Sequence, residues 1–208
     1  MEDVLDVYSR PYDPARPVIC MDEKPYQLLG ESREPLEMKP GSKKKLDSEY
    51  VRNGTCSIFV FNEPLAGWRH VSVREQRTAI DWAEEVKAFV NSRPEAEKIV
   101  LVMDNLNTHS IASLYKRFTP SEAKRIRERL EIHYTPKHGS WLDMAEIELN
   151  VMTRQCLNRR INNIEKVRSE LLAWETMQNN TKRKIKWQFT TEDARTKLMS
   201  LYPIVDNV

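Results

Sequence analysis

Residues 98–109 read Lys98-Ile99-Val100-Leu101-Val102-Met103-Asp104-Asn105-Leu106-Asn107-Thr108-His109. Five consecutive apolar residues, three of them β-branched, stop abruptly at a carboxylate. That pattern predicts a strand buried on both faces, ending at a polar site, because ligands of open α/β sheets sit at strand ends. The same grammar occurs upstream, where Val18-Ile19-Cys20-Met21 leads into Asp22. If the two strands are neighbours in one sheet, both carboxylates face a common point.

The segments around these two strands predict how they are joined. Glu23 to Tyr50 is polar and carries Pro25, Pro35, Pro40 and Gly41, which reads as a loop. Cys56, Ile58 and Val60 mark a strand over Thr55–Asn62, and Pro64 and Gly67 turn the chain into another over Trp68–Val73. With the first strand these make an antiparallel meander. Thr78 and Asp81 form a capping pair for a helix whose stripe is Ile80, Ala83, Val86, Phe89 and Val90, ending near Ser92 and Pro94. A helix that returns the chain to residues 99–103 makes that strand parallel to the first.

Downstream, a short helical stretch runs to Phe118, and Thr119-Pro120-Ser121-Glu122 restarts a helix with stripe Ala123, Ile126 and Leu130. A short strand follows over Glu131–Tyr134. Ser140 and Asp143 read as a capping pair opening a helix with Leu142, Ala145, Leu149 and Met152 on one face and Glu146 beside it. One more helix spans Ile164 to Trp174, and a last one, capped by Thr190 or Thr191, uses Ala194, Leu198 and Leu201. This order matches a ribonuclease-H-like α/β core: a mixed sheet with three antiparallel strands, then parallel strands, flanked by helices, plus a C-terminal helical extension. Residues 1–17, with Pro11, Pro14 and Pro17, are expected to form an extended linker arm, residues 18–160 the core, and residues 161–208 an extension packed on the same domain. An opening linker implies a preceding module.

Thirty-three basic and 31 acidic side chains leave a net charge of +2, so any case for a nucleic-acid partner rests on local clusters. Three stand out. Lys43, Lys44 and Lys45 form either a solvated loop or a phosphate-contacting one. Lys137 and His138 precede a helix start, where backbone N–H groups favour phosphate. Lys182, Arg183, Lys184 and Lys186 interleave with Ile185, Trp187 and Phe189, a basic and aromatic pattern suited to nucleic acid, although Trp187 could equally serve the core. Cys20, Cys56 and Cys156 are odd in number and lack any CxxC pair, which predicts buried free thiols, a reducing compartment and a cytoplasmic protein. No apolar run approaches the ~20 residues of a membrane span.

Carboxylates without partner histidines or thiolates are hard oxygen ligands, suited to magnesium or manganese rather than zinc. Two such ions can activate a water or hydroxyl and neutralise a phosphodiester in line with the attack. Each residue also has an ordinary explanation: a lone aspartate at a strand end is usually a cap. Two of them, each ending a buried strand, reverse that balance. Glu146 and Glu148 are rivals for a third position, since two residues along a helix turn about 200° and cannot both face the site. Asp143 reads as a capping partner of Ser140, and His109 as a hydrogen-bonded structural group. An aspartyl-phosphate phosphatase would need a carboxylate two residues after Asp22, where Lys24 stands.

Cys20-Met21-Asp22-Glu23, Met103-Asp104-Asn105-Leu106-Asn107-Thr108-His109 and Thr135-Pro136-Lys137-His138-Gly139-Ser140-Trp141-Leu142-Asp143-Met144-Ala145-Glu146 together resemble the three motifs of bacterial insertion-sequence transposases of the mariner superfamily. The resemblance implies a DDE transposase catalytic domain that hydrolyses and transfers DNA strands at transposon ends. It further implies Asp22, Asp104 and Glu146 as ligands of two Mg2+ or Mn2+ ions, with no other cofactor, and DNA and a second copy of the chain as partners. Family members end the third motif Leu-Asn-Pro-Ile-Glu, where this chain has Leu142-Asp143-Met144-Ala145-Glu146. The Asp104-to-Glu146 spacing exceeds the common one, with the extra length assigned to the helix over Thr119–Leu130. Family members usually carry helix-turn-helix modules before the catalytic domain. A remnant that binds DNA or dimerises without catalysis is the alternative, and the intact acidic motifs argue against it.

Overall fold

The computed structural model describes residues 1–33, 40–41, 48–137 and 139–202. Five strands, β1 (Val18–Glu31), β2 (Tyr50–Glu63), β3 (Trp68–Arg74), β4 (Ile99–Met103) and β5 (Leu130–Tyr134), form one sheet in the order β3-β2-β1-β4-β5. The first three pair antiparallel, and β4 and β5 continue parallel beside β1. The helices are α1 (Glu2–Ser9), α2 (Ala79–Asn91), α3 (Ile111–Arg117), α4 (Pro120–Glu128), α5 (Met144–Met152), α6 (Ile164–Thr181) and α7 (Thr191–Lys197). The mixed α/β, ribonuclease-H-like arrangement expected from the order of segments is the one observed.

Side-chain alternation along the strands divides the core into two layers. Ile19, Met21, Phe59, Phe61, Ile99, Leu101 and Met103 pack with Trp82, Ala83, Val86, Phe89 and Val90 of α2 and with α3 and α4. On the opposite face, Ile58 and Val60 meet α5 and α6 through Leu149, Met152, Val167, Leu171 and Trp174. Cys20, Val100 and Val102 meet α1, the start of α5 and Ala194 of α7. All five residues of β4 are buried, as a strand covered on both faces requires. The three cysteines are buried and free. Among the described residues no helix is long and apolar enough to cross a membrane.

Three of the expected helix starts are capped as their local residues predict. Thr78 and Asp81 make a capping box on α2, Thr190 and Asp193 another on α7, and Thr119 caps α4 with Pro120 at its first position. Four expectations are corrected. The arm over residues 1–17 is not wholly extended, because all three prolines lie beyond Ser9; Val4, Leu5, Val7 and Tyr8 bury one side of α1 against Cys20, Val100 and Val102. β1 does not stop at Asp22 but continues to Glu31, paired with β2, since ladder hydrogen bonds do not depend on side-chain polarity. Ser140 does not cap α5: residues Ser140–Leu142 form a 3₁₀ turn, and Asp143 is the cap, accepting from the Ala145 N–H at 2.8 Å. Ile80 and Leu201 are exposed rather than core members.

Candidate active site

Met21 of β1 lies opposite Met103 of β4 in the parallel ladder, so Asp22 and Asp104 leave the paired region side by side. Alternation then parts Asp22 from Glu23. Asp22 shares the face of Cys20, toward α5, while Glu23 shares the face of Met21, toward α2 and α3. On the α5 side a cleft is lined by Asp22, Lys24, Ser140, Glu146, Asn150 and Thr153. Glu146 stands exposed in the first turn of α5, where the helix dipole favours a negative charge. The Lys24 ammonium donates to Thr153 Oγ1 at 2.8 Å within the same cleft.

Behind the cleft, buried His109 bridges two carboxylates. Its Nδ1 lies 2.5 Å from Asp104 Oδ1 and its Nε2 2.8 Å from Glu23 Oε2, and the ring stacks on Trp82 with centroids 6.0 Å apart. Burial by itself lowers the imidazole's proton affinity, but Asp104 and Glu23 outweigh it and push the pKa up to about 9. His109 is thus the hydrogen-bonded group that sequence reasoning expected, and Glu23 is the partner it missed. The available signal was period two, because Glu23 lies on the buried face of Met21.

Burial raises Asp22 to about 7, against the Glu23 N–H, which lowers it; the nearby Glu23 and Asp104 charges add to the rise, and His109 opposes it. Asp143, fully enclosed, is likewise held well above the usual carboxylate range by burial and then by Asp22. Its Oδ2 has no hydrogen-bond partner among the described residues. Burial thus disfavours the ionised form of both carboxyls, and a bound cation would favour it. Among the described residues, no three His, Cys, Asp or Glu side chains already converge tightly enough to close a ligand set.

The rival carboxylate has a different environment. Glu148 is 3% exposed and accepts from Arg69 Nη2 at 2.7 Å, on the far side of α5 from Glu146. Of the basic candidates, Lys137, Lys182, Arg183, Lys184 and Lys186 are exposed, whereas Lys43, Lys44, Lys45 and His138 lie outside the described residues. Along 184–189, exposed Lys184, Lys186 and Gln188 alternate with half-buried Ile185, Trp187 and Phe189, which pack on the core around Tyr8, Cys20 and Leu142, so Trp187 has the core contact. The segment starts beside Gly67, whose φ is +70° and where a Cβ would meet the Lys182 carbonyl oxygen at 2.4 Å. Only a glycine turn lets the two backbones approach so closely.

Several solved structures share the fold. A Mos1 transposase paired-end complex with left transposon end matches with a TM-score of 0.57 at 16% identity, over 83% of this chain and 51% of that one. A Mos1 mariner paired end complex with Mn matches with 0.57 at 16%, over 86% and 54%. A Mos1 strand transfer complex matches with 0.56 at 15%, over 83% and 50%. At these identities the likeness is one of fold, and the chain spans about half the length of these structures. No curated protein sequence matches it. The family described as DDE superfamily endonuclease matches residues 17–168, a span that holds all five strands and the helix bearing Glu146. The chain therefore belongs to the DDE superfamily endonucleases.

Proposed function

We propose that the chain is the catalytic domain of a DNA transposase, cutting phosphodiesters at transposon ends and transferring the freed strands to target DNA. The observation that carries this reading is the meeting of Asp22 from β1 and Glu146 from α5 in one cleft, with Asp104 at the end of the adjoining parallel strand. The Mos1 complexes that share the fold are described as holding transposon ends and, in two cases, Mn or Mg.

Asp22, Asp104 and Glu146 would hold two Mg2+ or Mn2+ ions, a fit supported by their oxygen-only donors and by the raised pKa of Asp22. When bound, such ions activate a water or hydroxyl and neutralise the phosphodiester under attack. The chain's own residues fix the geometry. His109 holds Asp104 from behind at 2.5 Å, and the Asp143 cap sets where α5 begins and hence where Glu146 stands. Lys24, tied to Thr153, places a positive charge on the cleft wall, where a DNA phosphate would lie. A second copy of the chain and a cytoplasmic setting complete the proposal. The test is nicking of supercoiled DNA, and of DNA carrying candidate element ends, with Mn2+ or Mg2+ and with chelator. We expect cutting only with the metal, and a chain that binds DNA without ever cutting it would instead be a catalytically silent remnant.

Lys137, Lys182, Arg183, Lys184 and Lys186, together with Lys43, Lys44, Lys45 and His138, are proposed to meet the DNA backbone. Contacts of this kind position a duplex without reading it. With about six phosphates met, affinity falls roughly 10³-fold between 50 and 200 mM salt and depends little on sequence. Titrations across that salt range on unrelated duplexes check this, and one preferred sequence persisting at high salt would contradict it.

A further inference from the structure

Trp141, on the 3₁₀ turn Ser140–Leu142, leaves 43% of its surface in water. An indole is large and apolar, so a folded chain normally covers it. Here its back is built up. The Trp187 ring lies 6.4 Å away and nearly parallel at 21°, and Phe189 meets it edge-on at 5.6 Å. Trp187 in turn leans on Tyr8 at 5.2 Å, and the Tyr8 hydroxyl donates to the Leu142 carbonyl at 2.7 Å. The turn itself is closed by Gly139 N–H to the Pro136 carbonyl at 2.8 Å and Asp143 N–H to the Ser140 carbonyl at 2.7 Å. The exposed ring is therefore held in place.

Its position is specific. Ser140, the preceding residue, lines the cleft that holds Asp22 and Glu146, and the segment bearing Trp187 and Phe189 also presents exposed Lys184 and Lys186. We infer that Trp141 is a nucleobase-binding site, a stacking platform for an unpaired base beside the phosphodiester in the cleft. In duplex DNA the faces of the bases are covered by their neighbours, so an aromatic face can be matched only by a base that has left the stack. Such bases arise where a strand end frays or is opened at a cut. The platform takes any base, because every base has a π-face, and the neighbouring lysines hold its backbone. This inference rests on the reading of the chain as a DNA-cutting enzyme.

The full chain, with Ca2+ replacing the metal that supports cutting, is titrated with a short flush duplex. A second titration uses the same duplex with a single-stranded extension carrying 2-aminopurine. We expect about 10-fold tighter binding of the extended DNA, with quenching of the 2-aminopurine. Trp141→Ala abolishes both the preference and the quench, and Trp141→Phe retains them. An unchanged ratio and quench in Trp141→Ala overturns the inference, as does an equal loss of affinity for both DNAs, which marks Trp141 as scaffold. Cutting by the unaltered chain in Mn2+ is measured in parallel. If the chain cuts DNA but Trp141→Ala changes nothing, the base site falls alone. If it cuts nothing yet shows the Trp141-dependent preference, the base site stands and the transposase reading falls.

Discussion

We expect Asp22→Asn, Asp104→Asn and Glu146→Gln each to lower the proposed metal-dependent DNA cleavage by on the order of 10³-fold, because charge stabilisation by a metal at the reacting phosphate amounts to several kcal/mol. Each change keeps the shape of the side chain, and Glu146 is exposed, so the fold survives. For Asp22→Asn the structure predicts a second effect of opposite sign. The Asp22 carboxyl titrates near 7 in the folded chain against a usual value of 3.8. A carboxyl whose pKa is raised by folding stabilises fully below its unfolded value, and that contribution is lost as pH rises through the folded value. At pH 8 in chelator the native chain therefore carries a destabilising buried charge that Asp22→Asn removes. Its Tm should exceed that of the unaltered chain at pH 8, with the difference vanishing toward pH 4. Activity is read by plasmid nicking and stability by thermal melts. Full activity in Glu146→Gln would place the chemistry on another carboxylate.

Arg69→Met destabilises the fold by about 3–5 kcal/mol, since it leaves the Glu148 carboxylate buried without its counter-charge. The pair lies at 2.7 Å with side chains only 5% and 3% exposed. Arg69 also donates from Nη1 to the Gly67 carbonyl, and its backbone exchanges two 2.8 Å hydrogen bonds with the Asn179 side chain of α6. One residue thus ties β3 to α5, to the β2–β3 turn and to α6. Replacing both partners, as Arg69→Met with Glu148→Leu, recovers most of the loss because no orphaned charge remains. Urea unfolding of the two single variants and the double variant measures the coupling. A double variant no more stable than Arg69→Met would mean that the arginine matters for its other contacts rather than for the ion pair.

Taken by itself, the sequence determined the order of elements, where the strands lie and the caps of α2, α4 and α7. The Ile99–Met103 run, the Thr78–Asp81 box and the Thr119-Pro120 start are each defined by residues within about four positions of one another. The approach of Asp22 to Asp104 was also legible, because two apolar runs ending in aspartate, once paired in parallel, bring their ends together. Other features arise from partners remote in sequence. A lone eight-residue helix is unstable in water, so α1 depends on burying Val4, Leu5, Val7 and Tyr8. The run of β1 from Glu23 to Glu31 depends on β2, which supplies the backbone partners that its polar side chains do not reveal. Spacing alone left Glu146 and Glu148 as rivals, and the resemblance of Leu142-Asp143-Met144-Ala145-Glu146 to the family motif favoured Glu146 without showing how differently the two are surrounded. That difference is decided by Arg69, 79 positions away from Glu148 and brought against α5 only when β3 takes the edge of the sheet. Local pattern follows from short-range sterics and hydrogen bonding, whereas the surroundings of a charge depend on which distant segments fold around it.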